Sequence, residues 1–235
     1  MDQTTILDAD SFPYDYFTTL STIRKGRGKT AREYLDIITA FDIETTNLDD
    51  IEQSFMYIWQ FQVGLEYTVI GRTWEEYFSF LQRIREVIGD KILVIYVHNL
   101  SFEFCFLKGL YYFDAESVFA TDSYKILKCD MYNCFEYRCS YYLTNMSLGA
   151  FTKKMKVENL KLSGLEFDYS KKRYPWTPLT DKELAYCIND VKGLAQALYK
   201  YFSIEHDNIA TTPLTATGYP RRDCKKAMEH YHHKQ

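Results

Sequence analysis

A short apolar run, Ile37-Ile38-Thr39-Ala40-Phe41, leads without a break into Asp42-Ile43-Glu44-Thr45-Thr46. Five largely β-favouring, apolar residues in a row read as a buried central strand. Side chains alternate along a strand, so Asp42 and Glu44 share one face at its end. Two acids side by side in a core strand repel one another and lose solvation, which is costly without a counter-charge. A bound divalent cation would supply it. The plainer alternative is that the strand has ended and these are solvated loop acids with Thr45 as a cap.

The surrounding pattern places this strand in a sheet. Runs at Phe55 to Val63 and Tyr67 to Gly71, joined by a turn at Gly64-Leu65-Glu66, predict an antiparallel three-stranded meander with it. The period then changes. Tyr77, Phe78, Leu81, Ile84 and Ile88 recur at helical spacing and predict a helix over 74–88, closed by Gly89-Asp90. Ile92 to Val97 predicts a second buried strand, reached by a helical crossover and therefore parallel to the first. A short helix over 101–110, two β pieces in 123–137, and helices over 147–155 and 180–202 follow. Thr180 with Glu183 forms a capping box for the last of these. This order describes an α/β fold of the ribonuclease-H-like kind, a mixed sheet of five or six strands flanked by helices.

The chain has 235 residues, with 28 Lys and Arg against 32 Asp and Glu, a net charge of −4. That balance argues against a broad basic surface for coating duplex DNA and leaves room for a local groove. No apolar run reaches membrane-span length and no basic-then-apolar leader opens the chain, so a cytoplasmic setting without membrane contact is expected. The six cysteines show no CxxC pair and no zinc-finger spacing to a histidine, and they read as buried thiols. Arg24-Lys25-Gly26-Arg27-Gly28-Lys29 lacks the spacing of a phosphate-binding Walker loop. It reads equally as a solvated N-terminal arm.

Two further acids extend the pair on the strand. Asp190 sits among Cys187, Ile188 and Val191 on the long helix, with Tyr186 one turn earlier on the same face. Glu103 follows His98-Asn99-Leu100-Ser101-Phe102, where the second strand gives way to a helix. Each has a structural alternative, Asp190 as a satisfied helical acid and Glu103 as a carboxylate favoured by the helix dipole. Together, four carboxylates in a fold that can bring them to one spot suit a pair of Mg²⁺ or Mn²⁺ ions about 4 Å apart, an arrangement that serves phosphoryl displacement. Tyr186 would then be placed to orient the attacking water.

Taken in order, Phe41-Asp42-Ile43-Glu44-Thr45-Thr46, His98-Asn99-Leu100-Ser101-Phe102-Glu103 and Tyr186-x-x-x-Asp190 resemble the three exonuclease motifs of the DnaQ-like superfamily, in the subtype with Tyr in the third motif. More narrowly, the chain resembles the N-terminal 3′→5′ proofreading domain of protein-primed family B phage DNA polymerases. Ser147-Leu148-Gly149-Ala150-Phe151 and Asp168-Tyr169 are similar to two elements of that group. The resemblance covers residues 36 to 202. It implies that Asp42, Glu44 and Asp190 hold one metal, that Asp42 and Glu103 serve the second, and that Tyr186 positions the water. It also implies that Thr45, Asn99, Phe102, Ser147, Leu148 and Tyr169 grip the last nucleotides of a single strand. Two departures stand out. Glu103 occupies a position where the family usually carries Asp, and Lys161 is the best match to a Lys that steadies the scissile phosphate, although the residues after it do not complete the family pattern.

The expectation is a metal-dependent 3′→5′ exonuclease acting on single-stranded DNA ends. The alternatives are a catalytically weak or inactive module that binds single strands or primer termini, and an exoribonuclease. The motifs of a polymerase active site are missing from these 235 residues, and the 33 residues after the nuclease region are too few for palm, fingers and thumb, so polymerisation by this chain is not expected. The expected organisation is an N-terminal arm (1–35), an exonuclease domain (36–202) and a stub (203–235) toward an absent polymerase module. That module, or a primer terminus bound to one, is the expected partner.

Overall fold

The apolar run at Ile37 enters the middle of an eight-stranded mixed sheet. The computed structural model describes residues 4–48, 53–162, 168 and 170–232. In chain order the elements are β1 (Thr5–Asp8), β2 (Thr22–Lys25), β3 (Arg32–Leu35), β4 (Thr39–Leu48), β5 (Gln53–Val63), β6 (Tyr67–Gly71) and α1 (Trp74–Ile88). Then come β7 (Leu93–Val97), α2 (Leu100–Leu107), β8 (Val118–Ala120), β9 (Ile126–Met131), β10 (Phe135–Cys139), α3 (Ser140–Thr144), α4 (Leu148–Met155), α5 (Asp181–Glu205) and α6 (Gly218–His232). The large sheet runs β1-β6-β5-β4-β7-β10-β9-β8, while β2 and β3 form a separate hairpin.

The expected meander is present, since β4, β5 and β6 pair antiparallel in sequence. The crossover through α1 brings β7 parallel to β4, with Thr39 opposite Ile95. Alternation divides β4 between two cores. Phe41 and Ile43 pack with Trp59, Phe61, Tyr77 and Phe80 on the α1 side. Ile38 and Ala40 pack with Leu194 and Leu198 of α5 on the other. Asp42 and Glu44 continue the α5 face.

Local chemistry fixes both long helices. Thr73 and Glu76 at α1, and Thr180 and Glu183 at α5, form reciprocal capping boxes that satisfy helix-end donors. Gly89 ends α1 at φ 61°, a left-handed backbone that favours glycine. On α1 it is Phe80 that is fully buried, while Phe78 is half-buried at the margin of the same stripe.

The structure departs from expectation mostly in short elements. The sheet has eight strands rather than five or six, because β1 and β8, of four and three residues, lie at its edges and are too short to carry a readable period. Residues 4–35 are more than an arm. β1 joins the sheet parallel to β6, and Phe12 and Phe17 are buried against α1 and β6 neighbours. Residues 218–232 form a helix rather than a tether, with Pro220 in its first turn, where a missing N–H costs no helical bond. Tyr219 is buried, and Arg222 pairs with Asp207 at 2.7 Å. All six cysteines are free thiols; four are buried, while Cys105 and Cys224 are exposed. Among the described residues no helix is long and apolar enough to cross a membrane.

Candidate metal centre

Three elements deliver four carboxylates to the α5 face of the sheet. Asp42 and Glu44 come from β4 and Asp190 from α5, and one carboxylate oxygen from each lies within 4.8 Å of the others. Because β7 runs parallel to β4, its C-terminal end, and the start of α2, arrive beside the acidic end of β4. Asn99 makes the turn between them in a left-handed conformation (φ 78°) and is exposed. Glu103, in the first turn of α2, is buried and exchanges a hydrogen bond with Asp42. A bulge between Glu44 and Thr45 leaves Tyr57 of β5 without a register partner and bends the strand beside the acids.

The electrostatics of the cluster are strained. Burial and the neighbouring Asp190 push Asp42 up to about 7. Burial, then Asp42, raises Glu44 well above the usual carboxylate range, and the same two causes raise Glu103. Burial also raises Asp190, although Lys161 opposes it. Oδ1 of Asp190 and Oε2 of Glu103 are buried and have no hydrogen-bond partner among the described residues. An all-carboxylate set with unspent oxygens fits a hard divalent cation such as Mg²⁺ or Mn²⁺.

Lys161 is held against this cluster by a zipper along α5. Asn159 gives its backbone N–H to Gln196 Oε1 at 3.0 Å and its side-chain amide to Asn189 Oδ1 at 2.8 Å. Asn189 in turn donates to the Leu160 carbonyl at 2.8 Å. Gly193 permits the approach, since a Cβ there would lie 2.4 Å from the Asn159 carbonyl oxygen. The segment therefore sets Lys161 Nζ 2.6 Å from Asp190 Oδ2. Burial works against the ammonium, but Asp190 outweighs it and raises the Lys161 pKa.

The other sequence candidates fall into distinct settings. Tyr186, one turn before Asp190, is buried with Tyr57, Ile58 and Cys187. Thr45 is half-buried at the bulge. Phe102 is 42% exposed next to Glu103 and meets Phe106 edge-on at 5.4 Å. Ser147 caps α4 by accepting the Ala150 N–H at 3.3 Å, and Leu148 is buried in the α5 core. Tyr169 lies outside the described residues, whereas its neighbour Asp168 is exposed and bonded to Ser170.

Several residues have a place near the site that sequence reasoning did not give them. Gln60 stands opposite Asp42 in the β4–β5 register, fully buried, with both side-chain polar atoms unpaired among the described residues. A Gln inside an apolar strand was the available signal. His98 bonds Ser140 Oγ through Nδ1 at 3.0 Å, and burial, with Lys161, lowers its pKa to about 4, keeping the imidazole neutral. Arg173 is buried, donates to Glu183 Oε1 at 2.7 Å and exchanges backbone hydrogen bonds with the Thr46 hydroxyl at 3.0 and 2.7 Å. No sequence signal joins two residues 127 positions apart.

A 3′-5′ exonuclease family model matches residues 29–207. Among solved structures, Phi29 DNA polymerase complexed with single-stranded DNA matches with a TM-score of 0.67 and 18% identity, over 82% of this chain and 35% of that one. The same polymerase with primer-template DNA, in a post-translocation binary complex, matches at 0.64 and 18%, over 82% and 35%. Its ternary complex with incoming nucleotides matches at 0.64 and 17%, over 82% and 34%. The chain thus spans about a third of the length of those polymerases, and at this identity the likeness is one of fold. No curated protein sequence matches the chain.

Proposed function

The chain belongs to the 3′-5′ exonuclease family, and from that premise we propose that it hydrolyses phosphodiester bonds at the 3′ ends of single-stranded DNA. The observation that carries this reading is the set of carboxylates with raised pKa, in which Asp42, Glu44 and Asp190 bring one oxygen each within 4.8 Å of one another and Glu103 lies against Asp42. Asp42, Glu44 and Asp190 would hold one divalent ion and Asp42 with Glu103 a second, and together the ions would stabilise charge on the attacking and leaving oxygens.

The chain's own residues would do the rest. Tyr186, buried one turn from Asp190, would orient water, and Lys161 would turn from Asp190 to the scissile phosphate. Phe102, with its exposed ring, would stack on the terminal base, and Asn99 and Thr45 would contact the same end of the strand. Ser147 and Leu148 would act from the start of α4, and Tyr169 is retained as a contact on resemblance alone. Residues 36–202 would form the nuclease proper, braced by the preceding segment. Residues 203–235 would face a polymerase module or a polymerase-bound primer terminus, in a setting inside the cell.

A 5′-labelled oligonucleotide incubated with Mg²⁺ or Mn²⁺ should give a ladder of shortened products. Asp42→Ala is expected to slow the ladder roughly 10³-fold, matching the several kcal/mol that a metal clamp supplies. An undiminished ladder from that variant would sink the assignment. Binding without metal-dependent cutting would favour a non-catalytic single-strand module. RNA of the same sequence, run beside the DNA, decides whether the 2′-hydroxyl is accepted.

A further inference from the structure

Three aromatic rings form a ladder at the edge of the metal centre. Phe55 of β5 stacks on Tyr174 with centroids 5.3 Å apart and planes 20° from parallel. Tyr174 stacks on Trp176 at 5.1 Å and 9°. Trp176 ends the ladder and is 77% exposed, so one ring face is covered by Tyr174 and the other is open to solvent. Large exposed aromatics are costly to leave in water, and a nearly parallel pair with a free outer face has the geometry of a half-finished stack.

The turn that carries Trp176 is firmly built. The Thr177 N–H donates to the Tyr174 carbonyl at 2.9 Å, and the Tyr174 N–H donates to the Thr177 hydroxyl at 2.9 Å. Arg72 clamps it from below, with Nη2 on the Tyr174 and Thr177 carbonyls at 3.0 and 2.8 Å and Nε on the Tyr57 carbonyl at 2.7 Å. The ladder is also continuous with the centre. Phe55 pairs in register with Thr46, two residues beyond Glu44, and Thr46 ties itself to the backbone of Arg173, the residue before Tyr174.

We propose that the outer face of Trp176 is a stacking platform for a nucleobase of the bound single strand, several nucleotides back from the end held at the carboxylates. The proposal rests on the exonuclease reading and adds a second foothold to it. A base is the occupant that the open ring face suits, because every nucleobase presents a π-face and stacking is indifferent to sequence. The platform would lengthen the footprint without specifying a base.

The test uses the full chain with 5′-fluorescein oligo-dT of eight and of three nucleotides. Binding is read by anisotropy in Ca²⁺, and cleavage in Mg²⁺. Trp176→Ala is expected to weaken binding of the octamer about tenfold, within the range for loss of one stacked base, and to leave trinucleotide cleavage at the native rate. Trp176→Phe should restore octamer binding while abolishing the tryptophan quenching that the octamer causes in the native protein. Octamer binding by Trp176→Ala within twofold of native, with cleavage intact, overturns the platform alone and points the ladder toward a protein partner. If the native chain neither binds nor cuts the octamer, the exonuclease reading falls and the platform with it.

Discussion

Glu183 and Asp190 stand two turns apart on α5, and their carboxylates have opposite fates. Glu183 is enclosed by donors, taking hydrogen bonds from the Thr180 N–H, Lys171 and the buried Arg173. Burial works against its charge, but the Thr180 backbone and Arg173 outweigh it and bring its pKa down to about 2. Asp190 shares one face with Asp42 and Glu44, pairs with Lys161, has one oxygen unpaired among the described residues, and is raised. One helix thus carries an acid whose needs are met inside the fold and another whose needs are not. The first holds the structure together, and the second is left available to a ligand such as a divalent ion.

Mutation should break this contrast most sharply at Glu183. Glu183→Ala deprives the buried Arg173 guanidinium of its carboxylate and removes a capping box, and should cost about 3–5 kcal/mol in urea unfolding. Asp190→Asn in the metal-free protein should cost little or even stabilise, because it removes one charge from a crowded set. Equal losses at the two positions would erase the distinction.

A divalent ion should act on one region alone. Mg²⁺ or Mn²⁺ at a hundred times its Kd is expected to add about 2.7 kcal/mol to the native protein, to add the same to a variant of the Glu183 region, and to add far less to Asp190→Asn. Thermal melts across a metal titration would read this. Uniform stabilisation of all three would mean that the ion binds elsewhere.

Acidity sharpens the same contrast through opposite signs. Asp42 has a folded pKa of about 7 against an ordinary 3.8, so its penalty is complete above pH 7 and fades as the pH falls toward 3.8. The metal-free protein should therefore lose up to about 1.4 kcal/mol per unit as the pH rises through that window. Glu183 does the reverse lower down, its contribution being present above 4.5 and lost as the pH falls toward 2. His98, at about 4 rather than 6.5, destabilises on acidification between those values, so the Asp42 effect is read as the difference from Asp42→Asn. A difference that stays flat between pH 4 and 7 would make Asp42 an ordinary surface acid.

Long periodic stretches were legible in the sequence. The β4–β6 meander, α1 and α5 carried sustained periods, and both long helices announced their ends through capping residues. The D-x-E pair was legible because acids at the end of an apolar strand have few explanations. Illegible were β1, β8 and α3, which are shorter than the window in which a period can be recognised. Arg173 and Thr46 were invisible as partners because their bond closes across the whole sheet region of the chain. Residues 218–232 read as a tether because their basic residues hid a helix that docks mainly through Tyr219 and Arg222.

The zipper along α5 carries a consequence for handling and for turnover. Asn189, Gly193 and Gln196 keep an ammonium group within reach of the carboxylates by contacts that involve no ion. A chelator would then strip the centre without collapsing it, in contrast to sites whose folding depends on their metal. On the proposed reading Lys161 would act as a tethered placeholder, and the protein should survive storage without metal and regain cleavage when the ion is returned.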